Sequence, residues 1–108
     1  IFTTPSTAKG GNISAIVPLV THVDQNEHSV NVLITEHGVA DLRGKRPVDR
    51  AKCIIENCVD PSYRQILRDY LALSGPSHTP QNLKACFGMH ITFQETGNML
   101  NTDWAKFK

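Results

Sequence analysis

The sequence has no run of apolar residues approaching the roughly 18–20 needed to cross a bilayer, so none of its segments reads as a membrane span. Cysteine is scarce: Cys53, Cys58 and Cys86 are the only three. So small and odd a number makes no disulfide framework, and a reduced intracellular compartment is the expectation. The step from Cys53 to Cys58 matches no zinc motif and turns about 140° around a helix, so the thiols are read as structural and no metal is expected. Excess charge is missing too, with 11 Lys and Arg against 10 Asp and Glu for a formal net charge of +1. That balance excludes a supercharged nucleic-acid binder and, with 40% of the residues hydrophobic, a mainly disordered chain. There is no internal repeat and no low-complexity run. The opening IFTTPSTAKGG lacks the charged and apolar regions of a signal peptide. The chain opens on Ile1 instead of Met and, at the length of one domain, is expected to be a piece of a longer protein.

What is present changes character about halfway along. Residues 1–44 hold most of the β-branched apolar residues, whereas residues 47–95 read as helices punctuated by turns. Ile13 to Val20 is read as an edge strand or strand end, because Pro18 has no amide to donate. Val30 to Ile34 is a cleaner strand, with Val30, Val32 and Ile34 on one face. The polar loop from Thr21 to Ser29 is too short for a parallel crossover, so these strands, if neighbours, pair antiparallel. Both look apolar on two faces, which favours a sheet larger than this chain completes alone. Val48, Ala51, Ile55 and Cys58 form one helical stripe behind Pro47. Asp60-Pro61 starts a second helix, which carries Tyr63, Ile66, Leu67, Tyr70 and Leu71 and stops at Gly75. Thr79-Pro80 repeats the start signal ahead of Leu83, Cys86, Phe87, His90 and Ile91. The tail from Thr96 reads as loop around the single Trp104. The expected class is α/β, a hairpin-like strand pair followed by three helices.

Two segments carry candidate chemistry. In Ser6-Thr7-Ala8-Lys9-Gly10-Gly11-Asn12, the paired glycines let the backbone approach a ligand and Lys9 adds a positive point charge suited to phosphate. The order of Gly and Lys is not that of a Walker A loop, and on spacing alone a plain turn is the competing reading. In Thr35-Glu36-His37-Gly38, a carboxylate falls where a strand gives out and Gly38 lets the chain turn away. Ligands of open α/β sheets collect at the carboxyl ends of strands, so Glu36 is placed for work, against the ordinary alternative of a surface glutamate. Arg43, Lys45, Arg46, Arg50 and Lys52 cluster, opposed within their stretch only by Asp49. With no aromatic among them to stack bases, they read as a solvated helix start. The five histidines, His22, His28, His37, His78 and His90, show no metal-site spacing, and His90 is expected as a hydrogen-bonded core histidine. Ser6 and Ser14 have no evident His or Asp partners for a hydrolase triad.

The runs TTPSTAKGGNISAIVP, THVDQNEHSVNVLITEHGVADLRG and RAKCIIENCVDPSYRQILRDYL resemble the C-terminal domain of the acetyl-CoA hydrolase / succinyl-CoA:acetate CoA-transferase family. The likeness spans roughly residues 2–99, and HTPQNLKACFGMH with QETGNM resembles eukaryotic members in particular. The resemblance implies that residues 1–108 are part of the second of two CoA-transferase-type α/β domains, the N-terminal domain lying outside this sequence. It implies acetyl-CoA hydrolysis, or CoA transfer between succinyl-CoA and acetate, through a glutamyl-CoA thioester. None of Glu27, Glu36, Glu56 or Glu95 matches the family nucleophile, which is expected upstream, so the chain alone is expected to be inactive. Glu36 matches a second active-site glutamate that positions the nucleophile, and Lys9 matches a lysine that contacts CoA, with Gly10 and Gly11 keeping the backbone open. Acyl-CoA is then a substrate and no cofactor is held permanently. The expected partners are acetate or succinate, the N-terminal domain and further copies of the chain, with no nucleic acid and no membrane. The expected compartment is the mitochondrion, with the cytoplasm as alternative. A non-enzymatic CoA-binding or assembly module lacking the nucleophile is the rival class.

Overall fold

The computed structural model describes residues 1–26, 28–76 and 79–108; Glu27, Ser77 and His78 lie outside them. Five short strands run β1 Phe2–Thr3, β2 Thr7–Ala8, β3 Ile13–Ser14, β4 Val32–Thr35 and β5 Gly38–Asp41. Three helices follow, α1 Pro47–Asn57, α2 Pro61–Ser74 and α3 Gly88–Thr96, and the tail closes with 3-10 turns at Met99–Asn101 and Trp104–Phe107. The α/β class therefore stands. Among the described residues no helix is long and apolar enough to cross a membrane.

The hairpin is formed by a different pair from the one the sequence pattern favours. β4 pairs antiparallel with β5, matching Val32 to Asp41 and Thr35 to Gly38, and lies parallel to β1 on its other edge, giving the order β1-β4-β5. Ile13 to Val20 is no second long strand. Only Ile13–Ser14 pairs, antiparallel to Thr7–Ala8, around the Lys9–Gly11 turn. Ile16, Val17 and Leu19 instead pack as a strap on the helical core. Closing the two-residue turn at Glu36 and His37 costs about 1 kcal/mol less chain entropy than closing the long polar loop before Val30. Pro18 also interrupts the donors a longer strand would need.

Helices α1 and α2 begin as their prolines predict. The Asp60 carboxylate accepts the Ser62 amide at 3.0 Å, capping α2, and Gly75 ends it with a φ of 75°. Ile55 is buried on α1 with Cys58 directly after it, and Tyr63, Leu67 and Tyr70 are buried on α2. The third helix starts later than Thr79-Pro80 predicts. Residues 82–86 form a turn in which the Asn82 side chain accepts the Lys84 and Ala85 amides, and Leu83 is 92% exposed. Gly88 lets α3 pack closely on the tail, because a Cβ there would lie 2.6 Å from the Trp104 ring. The inward face of α3 is Gly88, Met89 and Thr92; of the expected stripe, Cys86 is buried in the core and Phe87 packs against it, whereas Leu83 and Ile91 are exposed. Trp104 is buried against Tyr70 at 5.1 Å between ring centres, with its indole N–H donating to the Ile66 carbonyl. A smaller apolar cluster of Ala40, Leu42 and Cys58 lies under the hairpin, joined to the main core through Ile54.

Candidate functional site

Thr35 anchors the tip of the β4–β5 hairpin. Its buried hydroxyl donates to the Cys58 carbonyl at 2.7 Å and accepts the His37 amide at 3.2 Å, tying strand, turn and the end of α1 together. Gly38 allows the closest approach in this seam. A Cβ at that position would stand 2.6 Å from the Asn57 carbonyl oxygen. The Cys58 thiol faces the Leu33 and Gly38 carbonyls, and burial pushes it up, so it keeps its proton and serves packing. All three cysteines are free.

Glu36 projects from this anchored turn, and its Oε1 accepts the Ser6 amide at 2.8 Å. The two segments singled out in the sequence, thirty residues apart, are thereby joined in one place. The Glu36 carboxyl is held below the usual glutamate range, chiefly by its own backbone amide and then by that of Ser6. It is therefore ionised at neutral pH, an acceptor and a fixed negative charge. Beside it, Thr3, Thr4, Pro5, Ile34 and Thr35 line an open depression of about 470 Å³. His37, the other turn residue, points Nε2 at the Asp60 Oδ2 at 3.3 Å, linking the hairpin tip to the cap of α2.

The lysine–glycine segment is a tight hairpin tip. Lys9, Gly10 and Gly11 take φ values of 50°, 66° and 95°, and Lys9 is the only non-glycine with positive φ among the described residues. A third glycine would sit there with less strain. Lys9 is exposed, and among the described residues no acceptor holds its ammonium. The turn itself is fixed from below, where the buried Tyr63 hydroxyl donates to the Gly11 carbonyl at 2.6 Å. The first turn of α2 thus supports both parts of the site, Asp60 under the Glu36 hairpin and Tyr63 under the Lys9 turn.

Sequence reasoning singled out Glu36, Gly38, Lys9, Gly10 and Gly11 as candidates and did not anticipate that Thr35, Asp60 and Tyr63 support their turns. Ser6, read as having no His or Asp partner for a triad, engages through its backbone amide instead, which donates to Glu36. In the basic cluster Arg43 makes a two-point bond to Asp41, Arg46 bonds Asp49, and Arg50 donates to the Lys45 and Val30 carbonyls. His90 is not the hydrogen-bonded core residue expected. Its Nδ1 has no partner, and its ring meets Phe87 edge-on at 5.6 Å. His78 falls outside the described residues. Among the described residues no group of His, Cys, Asp and Glu is arranged to hold a metal.

Residues 1–71 match the family model of the acetyl-CoA hydrolase/transferase C-terminal domain. The chain is 51% identical over 102 residues to a succinyl-CoA:acetate CoA-transferase of Clostridium kluyveri, an alignment covering 92% of this chain and 19% of that protein. It is 49% identical over 100 residues to a propanoyl-CoA:succinate CoA transferase of Escherichia coli, covering 93% and 20%. It is 43% identical over 107 residues to an acetyl-CoA hydrolase of Kluyveromyces lactis, again covering 93% and 20%. The chain spans about a fifth of the length of these relatives. The identity is higher to these two bacterial transferases than to this yeast hydrolase.

Proposed function

Since the chain belongs to the acetyl-CoA hydrolase/transferase C-terminal domain family, we propose that it forms part of the active site of an enzyme acting on short acyl-CoA esters, with acetate or succinate as acceptor or product. The observation that carries this reading is the bond from the Ser6 amide to Glu36, which ties an ionised carboxylate to the segment leading into the lysine–glycine hairpin. In the proposed reaction, a glutamate outside these residues attacks the thioester carbonyl. The carbon–sulfur bond breaks, and an acyl-glutamyl anhydride forms with release of CoA thiolate. The thiolate then attacks the glutamyl carbonyl, expelling the acyl carboxylate and leaving a glutamyl-CoA thioester. An acceptor carboxylate reverses these steps to give a new acyl-CoA; water in its place gives hydrolysis. Dividing one acyl transfer into such stages is covalent catalysis.

Within that scheme Glu36 positions the nucleophile. Its own amide and that of Ser6 hold its charge, and a second carboxylate brought close would be the one whose pKa rises. Lys9 meets the anionic end of CoA, with Gly10 and Gly11 leaving room for the ligand. The remainder of the site comes from an N-terminal domain, the assembly is a homo-oligomer, and CoA comes and goes as substrate. The proposed compartment is the mitochondrion, with the cytoplasm as alternative.

The test is Glu36→Gln and Glu36→Ala in the full-length enzyme. Both are expected to lower kcat by roughly 100-fold, the size of effect produced by misplacing a reacting group by about 1 Å. KM for acyl-CoA should change little, and mass spectrometry should still find the glutamyl-CoA adduct at another glutamate. Full turnover in Glu36→Ala would overturn the positioning role, and an adduct on Glu36 itself would make it the nucleophile.

A further inference from the structure

Ser6 stands out once the contacts of Glu36 are accounted for. It is wholly buried, and its hydroxyl is one of two buried side-chain polar atoms with no hydrogen-bond partner among the described residues, the other being His90 Nδ1. The backbone around it is fixed on both sides. The Thr4 amide donates to the Ile34 carbonyl at 3.1 Å, and the Ser6 carbonyl accepts the Ala15 amide at 2.9 Å. Alanine would satisfy the same backbone and avoid burying an unpaired hydroxyl, a group that costs stability when left without a partner. The hydroxyl belongs to the residue whose amide already holds Glu36. That hydroxyl is free to serve the same carboxylate, since it makes no hydrogen bond of its own.

We propose that Ser6 is a positioning residue for Glu36: its amide pins one carboxylate oxygen, and its buried hydroxyl is the second donor, engaged when the carboxylate shifts toward the reacting groups. This rests on the reading of Glu36 as an active-site carboxylate. A serine hydroxyl changes aim by rotating between staggered positions and needs no backbone movement, so it can follow a carboxylate that the rigid amide cannot. The charged groups around Glu36 do not replace it. His37 adjoins Glu36 in the hairpin and Asp60 of α2 faces His37, while β1 and the loop after it bring only uncharged Thr3, Thr4, Pro5 and Ser6.

The experiment is Ser6→Ala in the full-length enzyme, alone and combined with Glu36→Gln. Removing the hydroxyl is expected to lower kcat roughly 10-fold, with KM for acyl-CoA changed by less than about twofold. Losing a donor to the charged form raises the carboxyl pKa, so the acidic limb of the kcat profile should move to higher pH. The thermal midpoint should hold or rise, since an unpaired buried group is gone. In the Glu36→Gln background Ser6→Ala should cause little further loss. Unchanged turnover with an unshifted acidic limb would reduce Ser6 to a packing residue. An equal loss in both backgrounds would show that it acts through the fold and would overturn the proposal. Full activity in Glu36→Gln alone is a different result: it removes the reading of Glu36, and the role of Ser6 falls with it.

Discussion

A lysine with a φ of 50° occupies a conformation that glycine adopts freely, and two glycines already follow it. Lys9→Ala keeps the same backbone strain and removes only the charge and its stem, which makes it the cleaner test of the proposed contact with CoA. In the full-length enzyme it is expected to raise KM for acyl-CoA by roughly 10-fold, the cost of about one charge-assisted contact, with kcat close to unchanged. Steady-state kinetics measures this, and an unaltered KM would leave Lys9 as a turn residue. Glu36 differs in that its neighbours fix its charge state, and no amount of sequence patterning shows which amide does so. The strand end and the following glycine mark the carboxylate. The Ser6 amide that holds it comes from thirty residues upstream, through a contact that leaves no periodic signal.

Among the elements, the β4–β5 hairpin depends on its seam with α1. Thr35→Val keeps shape and β propensity but deletes the donor to the Cys58 carbonyl and the acceptor for the His37 amide. Leaving these buried groups unpaired should cost about 1–3 kcal/mol in urea unfolding. Activity of the full-length enzyme should fall as well, because Glu36 rides on the same turn; unchanged stability would mean that the hairpin does not depend on this bond. The hairpin also explains an error of pattern reading. Gly38-Val39-Ala40-Asp41 contains three residues of poor β propensity and does not announce a strand. It becomes one because a two-residue turn delivers it to the free edge of β4, with Ala40 buried against Cys58. Ile13 to Val20 has the better composition, yet it serves mainly as a strap over α1 and α2.

For the whole molecule, the pH dependence of stability follows from its carboxylates. Glu36, Asp41, Glu56 and Asp60 are all held below their ordinary values, by the Glu36 and Ser6 amides, by Arg43, by Arg68 and by Ser62 respectively. A carboxyl depressed in the folded state contributes stability that is present above its unfolded value and is lost as pH falls through its folded value. The thermal midpoint should therefore be level near neutrality and decline below about pH 4, where unfolded Asp and Glu begin to take up protons. Three of these groups lie at the exposed surface, so added salt should shrink the decline. Trp104, the single tryptophan and 8% exposed, reports unfolding through a red shift of its fluorescence. Constant stability down to pH 2 would contradict the account.

The sequence by itself determined the α/β class, both proline-led helices with the Asp60 cap, the family likeness, and the positions of Lys9 and Glu36. Each of these is local: a turn, a cap, a stripe or a contiguous motif that neighbouring residues specify among themselves. The tertiary structure alone decided that β5 and not Ile13 to Val20 completes the hairpin. It decided that α3 packs at Gly88 on the Trp104 ring, where a Cβ would not fit. It also decided that Ser6, Thr35, Asp60 and Tyr63 are the groups that hold the site. Those contacts join residues from roughly 20 to 50 positions apart. Their energies come from close approach and from satisfying buried polar groups, and neither exists until the elements have packed.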